Sequence, residues 1–178
     1  KTGWHFAEDA GRGWRRMVAS PKPKKILDLK TIDALLDAGV IPIACGGGGV
    51  PVLLGDTGHW SGVAAVIDKD LTSAMLAAHL HADALIMLTG VDRVALDFNK
   101  PTQRPLDHMT LAQARQHSAD GQFPPGSMGP KIDAAISYLQ ELPNANQEGE
   151  VIITSLERAF DALMGRAGTH ITLKARPL

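Results

Sequence analysis

The chain has 178 residues, 44% of them hydrophobic, 21% charged and only 4% aromatic, a composition that supports a mostly aliphatic core and excludes a disordered chain. Lys+Arg 18 against Asp+Glu 19 leaves a net charge of -1, so no whole-surface attraction draws in nucleic acid or an acidic membrane, and any anion site has to be local. A single cysteine, Cys45, rules out an intrachain disulfide framework; with no apolar run of bilayer length and no signal-peptide pattern, the expected location is the cytoplasm.

Residues 1–25 mix glycine and proline with six basic positions between 12 and 25 and show no clear period; they read as an arm or strand pair entering a domain over 26–178. Residues 29–38 carry Ile32, Leu35 and Leu36 at helical spacing, and VIPIAC (40–45) is a short apolar run suited to a buried strand. Gly46, Gly47, Gly48 and Gly49 follow it. After a turn-rich stretch around Gly55, Asp56, Gly58 and Gly62, the apolar run VAAVI meets DKD, and an alanine- and leucine-rich helix covers about 70–81. ALIMLT (84–89) reads as a second buried strand. Residues 110–119 and 127–142 read as helices, the second with Ile132, Ala135, Ile136, Leu139 and Leu142 on one face. VIITS (151–155) is a third apolar strand, 156–164 a helix closed by Gly165, and HITL (170–173) a last strand. Strands without alternation, interleaved with helices, predict a mainly parallel sheet covered on both faces.

Ligands of open α/β sheets bind beyond the carboxyl ends of the strands, and the glycines of this chain fall in those loops. A tight turn needs one or two glycines; four in a row point to something approaching the main chain closely. Neither glycine loop is a Walker A element, since Ser127 follows Gly126 where a lysine is required, and no G-x-G-x-x-G follows the first strand. In GQFPPGSMGPKIDAAI (121–136), Lys131 sits where a glycine- and proline-rich loop gives way to a helix, a place where unpaired backbone N–H groups already favour an anion. In VIDKDL, Lys69 lies between Asp68 and Asp70 at another helix start. Alone, Asp70 reads as an N-cap; taken with Lys131, the two lysines and the carboxylate make a cationic pocket in which the aspartate orients both ammonium groups.

Other candidates have simpler readings. Cys45 lacks an identifiable partner base and reads as a small buried hydrophobe. His79 and His81 are two apart on a helix and point in different directions, so they form no metal pair. Arg12, Arg15 and Arg16 could touch phosphate or form a solvated basic hairpin.

Taken in order, EDAGRGWRRMVASPKPKKI, IACGGGGVPV, AVIDKDLTSAMLA, LTGVDRV, GQFPPGSMGPKIDAAI and IITSLERAFDALMGRAGTHI resemble the carbamate kinases of the amino acid kinase family across essentially the whole chain. The resemblance is to the C-terminal part of those enzymes, beginning within a lid-like segment, to which residues 1–25 would correspond. It implies a three-layer αβα sandwich with a mainly parallel sheet and a homodimer. It also implies reversible phosphate transfer between ATP and carbamate, with magnesium, giving ADP and carbamoyl phosphate. By position, Lys69 and Lys131 match the phosphate-binding lysines and Asp70 the aspartate that organises them. Thr89, Gly90, Val91 and Val94 match one nucleotide-bordering loop; Pro125, Gly126, Ser127, Met128 and Gly129 match the second. The run from Gly46 to Gly49 matches a substrate-side loop. The N-terminal portion that carries an early glycine-rich turn and another lysine has no counterpart here, so the chain is expected to be a fragment or truncated product. The alternatives are another amino acid kinase, acting on glutamate or a nucleoside monophosphate, and a noncatalytic nucleotide-binding or dimerisation module.

Overall fold

A computed structural model describes residues 3–8, 13–142 and 149–175. Strands β1 (His5–Glu8) and β2 (Trp14–Met17) pair antiparallel, with Phe6 opposite Arg16. Helix α1 (Leu29–Asp37) follows, then a single 3-10 turn over Gly46–Gly48 and the antiparallel pair β3 (Val52–Leu54) and β4 (Trp60–Gly62). Helix α2 (Lys69–His79) leads to β5 (Ala84–Thr89) and the short pair β6 (Ala95–Leu96) and β7 (Arg104–Pro105). The remainder is β8 (His108–Thr110), α3 (Leu111–Ala119), α4 (Met128–Glu141), β9 (Glu150–Ser155), α5 (Ala159–Leu163) and β10 (Thr169–Thr172).

The main sheet has the order β5-β9-β10-β8. Strands β5 and β9 run parallel, as do β10 and β8, and the two halves meet antiparallel between β9 and β10. The register puts Leu85, Val151, Ile171 and Met109 in one row across the sheet. All four are buried and share a core with Ala74, Ala77 and Ala78 of α2 and Ala134, Ala135 and Leu139 of α4. Positions one residue along face the other way, as a period of two requires; there Ile152 packs with Ala162 and Ala167 under α5. The result is an αβα layering with a mostly parallel sheet.

Sequence pattern explains α4, which lines the site, and α3, which precedes it in the chain. In α4, Ile132, Ala135 and Leu139 recur at helical spacing and are all buried, and Tyr138 adds its ring while its hydroxyl donates to the carbonyl of Ala82. Helix α3 begins with a capping box: Thr110 Oγ1 accepts the Gln113 N–H at 3.2 Å, and Gln113 Oε1 accepts the Thr110 N–H at 2.8 Å.

Two expectations change. The apolar run 40–45 forms no strand among the described residues, and Ile41 and Ile43 are 91% and 101% exposed. An apolar run becomes a buried strand only where a neighbour takes up its backbone hydrogen bonds, and no described strand does so. The run 63–67 likewise makes only one bridge, Ala65 with Ala19. The last helix is shorter than the pattern suggested, covering Ala159–Leu163.

Candidate active site

Asp68 adopts an extended backbone and its Oδ1 accepts the N–H groups of Asp70 and Leu71 at 2.8 and 3.1 Å, which makes it the N-cap of α2. The cap is therefore Asp68, not Asp70: an extended residue just before the helix can turn its carboxylate back onto the open N–H groups, whereas Asp70 is already inside the first turn. Asp70 is thereby released for another task. Its Oδ2 lies 2.7 Å from Lys131 Nζ and its Oδ1 3.2 Å from Lys69 Nζ, so one carboxylate joins two helices and holds two ammonium groups. The side chains of Lys131 and Asp70 are 11% and 12% exposed, whereas that of Lys69 is 59% exposed. One cation is thus built into the floor and the other reaches toward solvent.

The start of α4 differs from that of α2. Ser127 precedes its first turn without a side-chain cap, and the first turn holds no acidic residue. The preceding loop closes through Pro124, whose carbonyl accepts the N–H groups of Ser127 and Gly129 at 3.2 and 2.9 Å. A Cβ on Gly129 would sit 3.0 Å from that carbonyl oxygen, so glycine is what lets the loop turn this tightly. A carboxylate already serves the start of α2; the start of α4 carries no acidic side chain, and Lys131 lies one turn further in.

These groups line a cavity of about 470 Å³ at the end of β5, together with Thr89, Gly90 and Val91 from the loop after that strand. That loop is anchored. Ser155 Oγ donates to Asp92 Oδ1 at 2.6 Å, the Val94 N–H donates to Thr169 Oγ1 at 2.8 Å, and Arg93 Nε meets Asp107 Oδ1 at 2.7 Å.

The structure brings together Lys69, Asp70, Lys131, Thr89, Gly90, Val91, Gly126, Ser127 and Met128 on this cavity. Val94 is fully buried beneath the loop, and Pro125 and Gly129 do not line the cavity. Gly46, Gly47, Gly48 and Gly49 lie at the base of α2, outside the lining. Gly48 has φ +103, and a Cβ there would fall 2.0 Å from the carbonyl oxygen of Ile67, so the close approach at this glycine is made by the chain's own backbone. Thr72 Oγ1, 3.1 Å from the Gly48 carbonyl, ties the loop to α2. Cys45 has a left-handed backbone; partial burial, and then Asp28, pushes its thiol above the ordinary range. His79 Nε2 lies 3.1 Å from Asp33 Oδ2, joining α2 to α1. In the basic arm, the Arg16 guanidinium lies 4.2 Å from the centre of the Trp4 ring, and Arg12 is outside the described residues.

Arg93, Ala95, Phe98, Phe123, Pro124 and Pro130 also line the cavity and were not singled out from the sequence. They are apolar or isolated residues whose signal is spatial. The DRV tripeptide after β5 carried a trace of it, since three consecutive residues are each pinned to a different later segment.

Residues 2–154 match the profile of the Amino acid kinase family. The chain is 50% identical over 169 residues to carbamate kinase of Staphylococcus haemolyticus, covering 95% of this chain and 53% of the relative. It is 48% identical over 168 residues to the carbamate kinase-like protein YahI of Escherichia coli, covering 94% and 52%. Among solved structures, carbamate kinase from Giardia lamblia bound to AMP-PNP superimposes with a TM-score of 0.85 at 42% identity, over 96% of this chain and 52% of that one. The chain spans about half the length of the curated relatives it matches.

Proposed function

The chain belongs to the Amino acid kinase family, and on that premise we propose that it supplies the nucleotide-binding half of a carbamate kinase-type phosphotransferase. The reaction is ATP and carbamate to ADP and carbamoyl phosphate, in either direction. The observation that carries this reading is the buried Lys131–Asp70 contact at 2.7 Å, set beside a helix start with no acidic residue in its first turn on a cavity of about 470 Å³. That volume is within the range of small-molecule sites. Half-identity to carbamate kinases over nearly the whole chain narrows the substrate class.

In this reading Lys131, at the start of α4, holds the polyphosphate, Lys69 reaches its outer oxygens, and Asp70 fixes the spacing of the two amines. Thr89, Gly90, Val91, Gly126, Ser127 and Met128 border the nucleotide, with Val94, Pro125 and Gly129 shaping those loops from behind. Gly46 to Gly49 remain the proposed substrate-side loop. A carbamate oxygen is already anionic at neutral pH, so transfer to it calls for positioning and charge neutralisation more than for a strong base. Among the described residues no group of three or more His, Cys, Asp or Glu could hold a metal, and Asp68 and Asp70 are both engaged. Magnesium therefore fits as an ion carried on nucleotide oxygens, where it would neutralise phosphate charge. A homodimer in the cytoplasm acting in arginine metabolism, with no nucleic-acid or membrane partner, completes the proposal; no helix among the described residues is long and apolar enough to cross a membrane.

The coverage of about half of each relative favours a second reading, nucleotide binding without turnover. A coupled assay for ATP formation from ADP and carbamoyl phosphate, run beside calorimetry with ADP, separates the two. Turnover supports the kinase reading, binding alone supports the second, and absence of both rejects the site. Glutamate and nucleoside monophosphates as acceptors in the same assay test the other amino acid kinase activities.

A further inference from the structure

Two amines share one carboxylate in this cavity, and they differ in enclosure and in how tightly they are paired. Lys131 Nζ lies 2.7 Å from Asp70 Oδ2 with its side chain 11% exposed; Lys69 Nζ lies 3.2 Å from Asp70 Oδ1 with its side chain 59% exposed. The first is shut in and held at the distance of a charge-assisted hydrogen bond. The second is loosely paired, open to water and, as the first residue of α2, part of the cavity lining.

The proposed reaction puts a carbamoyl group beside these amines. Carbamoyl phosphate is a mixed anhydride whose carbonyl carbon is bonded to a good leaving group, and an unprotonated amine attacks such a carbon. Near pH 7.4 an ordinary lysine is unprotonated in only about one molecule in a thousand, so attack from dilute solution is slow at every exposed lysine alike. Binding changes this for an amine that holds the phosphate, because a bimolecular encounter becomes attack within one complex. Lys131 is withheld, since freeing its nitrogen lone pair would break a buried ion pair. Lys69 carries no such restraint.

We propose that Lys69 is a carbamoylation site, modified by carbamoyl phosphate held in the cavity, and that the modification weakens the phosphate site. The proposal rests on the carbamate kinase-type reading of that cavity. The Lys69 ammonium gives one proton to solvent, and the amine nitrogen attacks the carbonyl carbon. A C–N bond forms, the C–O bond to phosphate breaks, and inorganic phosphate leaves with a second N–H proton. The product is a neutral urea at the end of the Lys69 side chain. One of the two ammonium charges on Asp70 is lost, and Asp70 keeps Lys131.

Lys100 is the matched comparison: its side chain is 64% exposed and its ammonium meets Asp97 at 3.0 Å, yet it does not line the cavity. The full chain is incubated with carbamoyl phosphate or with potassium cyanate, the reagent that carbamoyl phosphate sheds in water, and carbamoylated lysines are followed by peptide mass mapping. With carbamoyl phosphate, Lys69 is modified at least about tenfold faster than Lys100, and saturating ADP removes the lead. With cyanate, which needs no phosphate site, the lead is absent. Calorimetry with inorganic tripolyphosphate then shows a Kd raised roughly 2- to 5-fold in the modified chain, the worth of one exposed ion contact. In Lys69→Arg, whose guanidinium stays protonated, the same incubation leaves tripolyphosphate affinity at its value before incubation. Equal rates at Lys69 and Lys100, a lead that survives ADP, or the same lead with cyanate overturns delivery from the cavity. Modification without loss of tripolyphosphate affinity overturns the effect on the site. A chain that binds no tripolyphosphate before treatment overturns the reading of the cavity itself.

Discussion

Replacing Asp70 with leucine tests the electrostatics of the site directly. The Lys131–Asp70 pair is separated by 2.7 Å with both side chains about one-eighth exposed. At an effective dielectric near 20 the attraction is about 6 kcal/mol. Removing two such ions from water costs several kcal/mol each, so the pair as a whole contributes little to stability. The asymmetry is the informative part: Asp70→Leu strands the Lys131 ammonium in a site built around its counter-charge, at a cost of about 3–5 kcal/mol. Lys69 loses the same partner but remains hydrated and adds little. In a chain of this size such a loss lowers the thermal midpoint by about 6–20 °C. The double variant Asp70→Leu/Lys131→Met removes both charges and is expected to return to within about 1 kcal/mol of the parent, or to exceed it. Urea unfolding of the three proteins, compared at equal m-values, measures this. A single variant as stable as the parent, or a double variant as unstable as the single, would refute the reasoning. The double variant, which lacks the Lys131 ammonium, loses tripolyphosphate affinity while regaining stability, which separates binding from folding.

Lys131→Ala in an active assembly lowers kcat by roughly a hundredfold to a thousandfold, as loss of one preorganised charge does elsewhere; steady-state assays of ATP formation check it. Gly48→Ala forces the 46–49 loop away from Ile67 and costs at least about 1 kcal/mol in urea unfolding, whereas the open Gly46 accepts alanine without a clash. The Lys100 hydrogen bond, followed by that of Thr102, lowers the Asp97 carboxyl below the usual range. Its folded pKa is therefore below its unfolded one, and the stabilisation it gives is present above the unfolded pKa near 3.9 and lost as pH falls through the folded value. Thermal melts across that acid window show a drop that Asp97→Asn does not. Alkylation of Cys45 by iodoacetamide runs more slowly than that of a free thiol at neutral pH and rises at higher pH, because burial and Asp28 push the thiol up.

The helices were legible because their apolar residues recur at helical spacing, and β5, β9 and β10 because they are short apolar runs; β8, three residues long, was not read as a strand. ALIMLT is β5 to the residue, and α4 differs by one residue at each end. The convergence of Lys69, Asp70 and Lys131 was legible for a different reason, since each marks a helix start and such starts gather at one end of a layered sheet. The cap exchange between Asp68 and Asp70 was not legible, because it turns on one backbone dihedral: Asp68 has ψ of 125° and lies outside the helix. The run 40–45 misled because apolar composition reports a wish for burial and says nothing of a partner. Strands β3, β4, β6 and β7 are two or three residues long, too short for alternation to register. Phe98 was missed because a lone aromatic in a polar loop has no period.

The alanines shared by α2 and α4 have a consequence beyond packing. Ala74, Ala77 and Ala78 face the same core as Ala134 and Ala135, and side chains this small let the two helix axes come close. Lys69 and Asp70 ride on one axis and Lys131 on the other, so a seam of methyl groups one to three turns away sets the gap across which the carboxylate meets the buried amine. Enlarging Ala77 or Ala134 to leucine would wedge the axes apart and spread the charges without touching a polar atom. Methyl volume, at a distance from any ligand, is then the quantity that calibrates how the charged groups stand to one another.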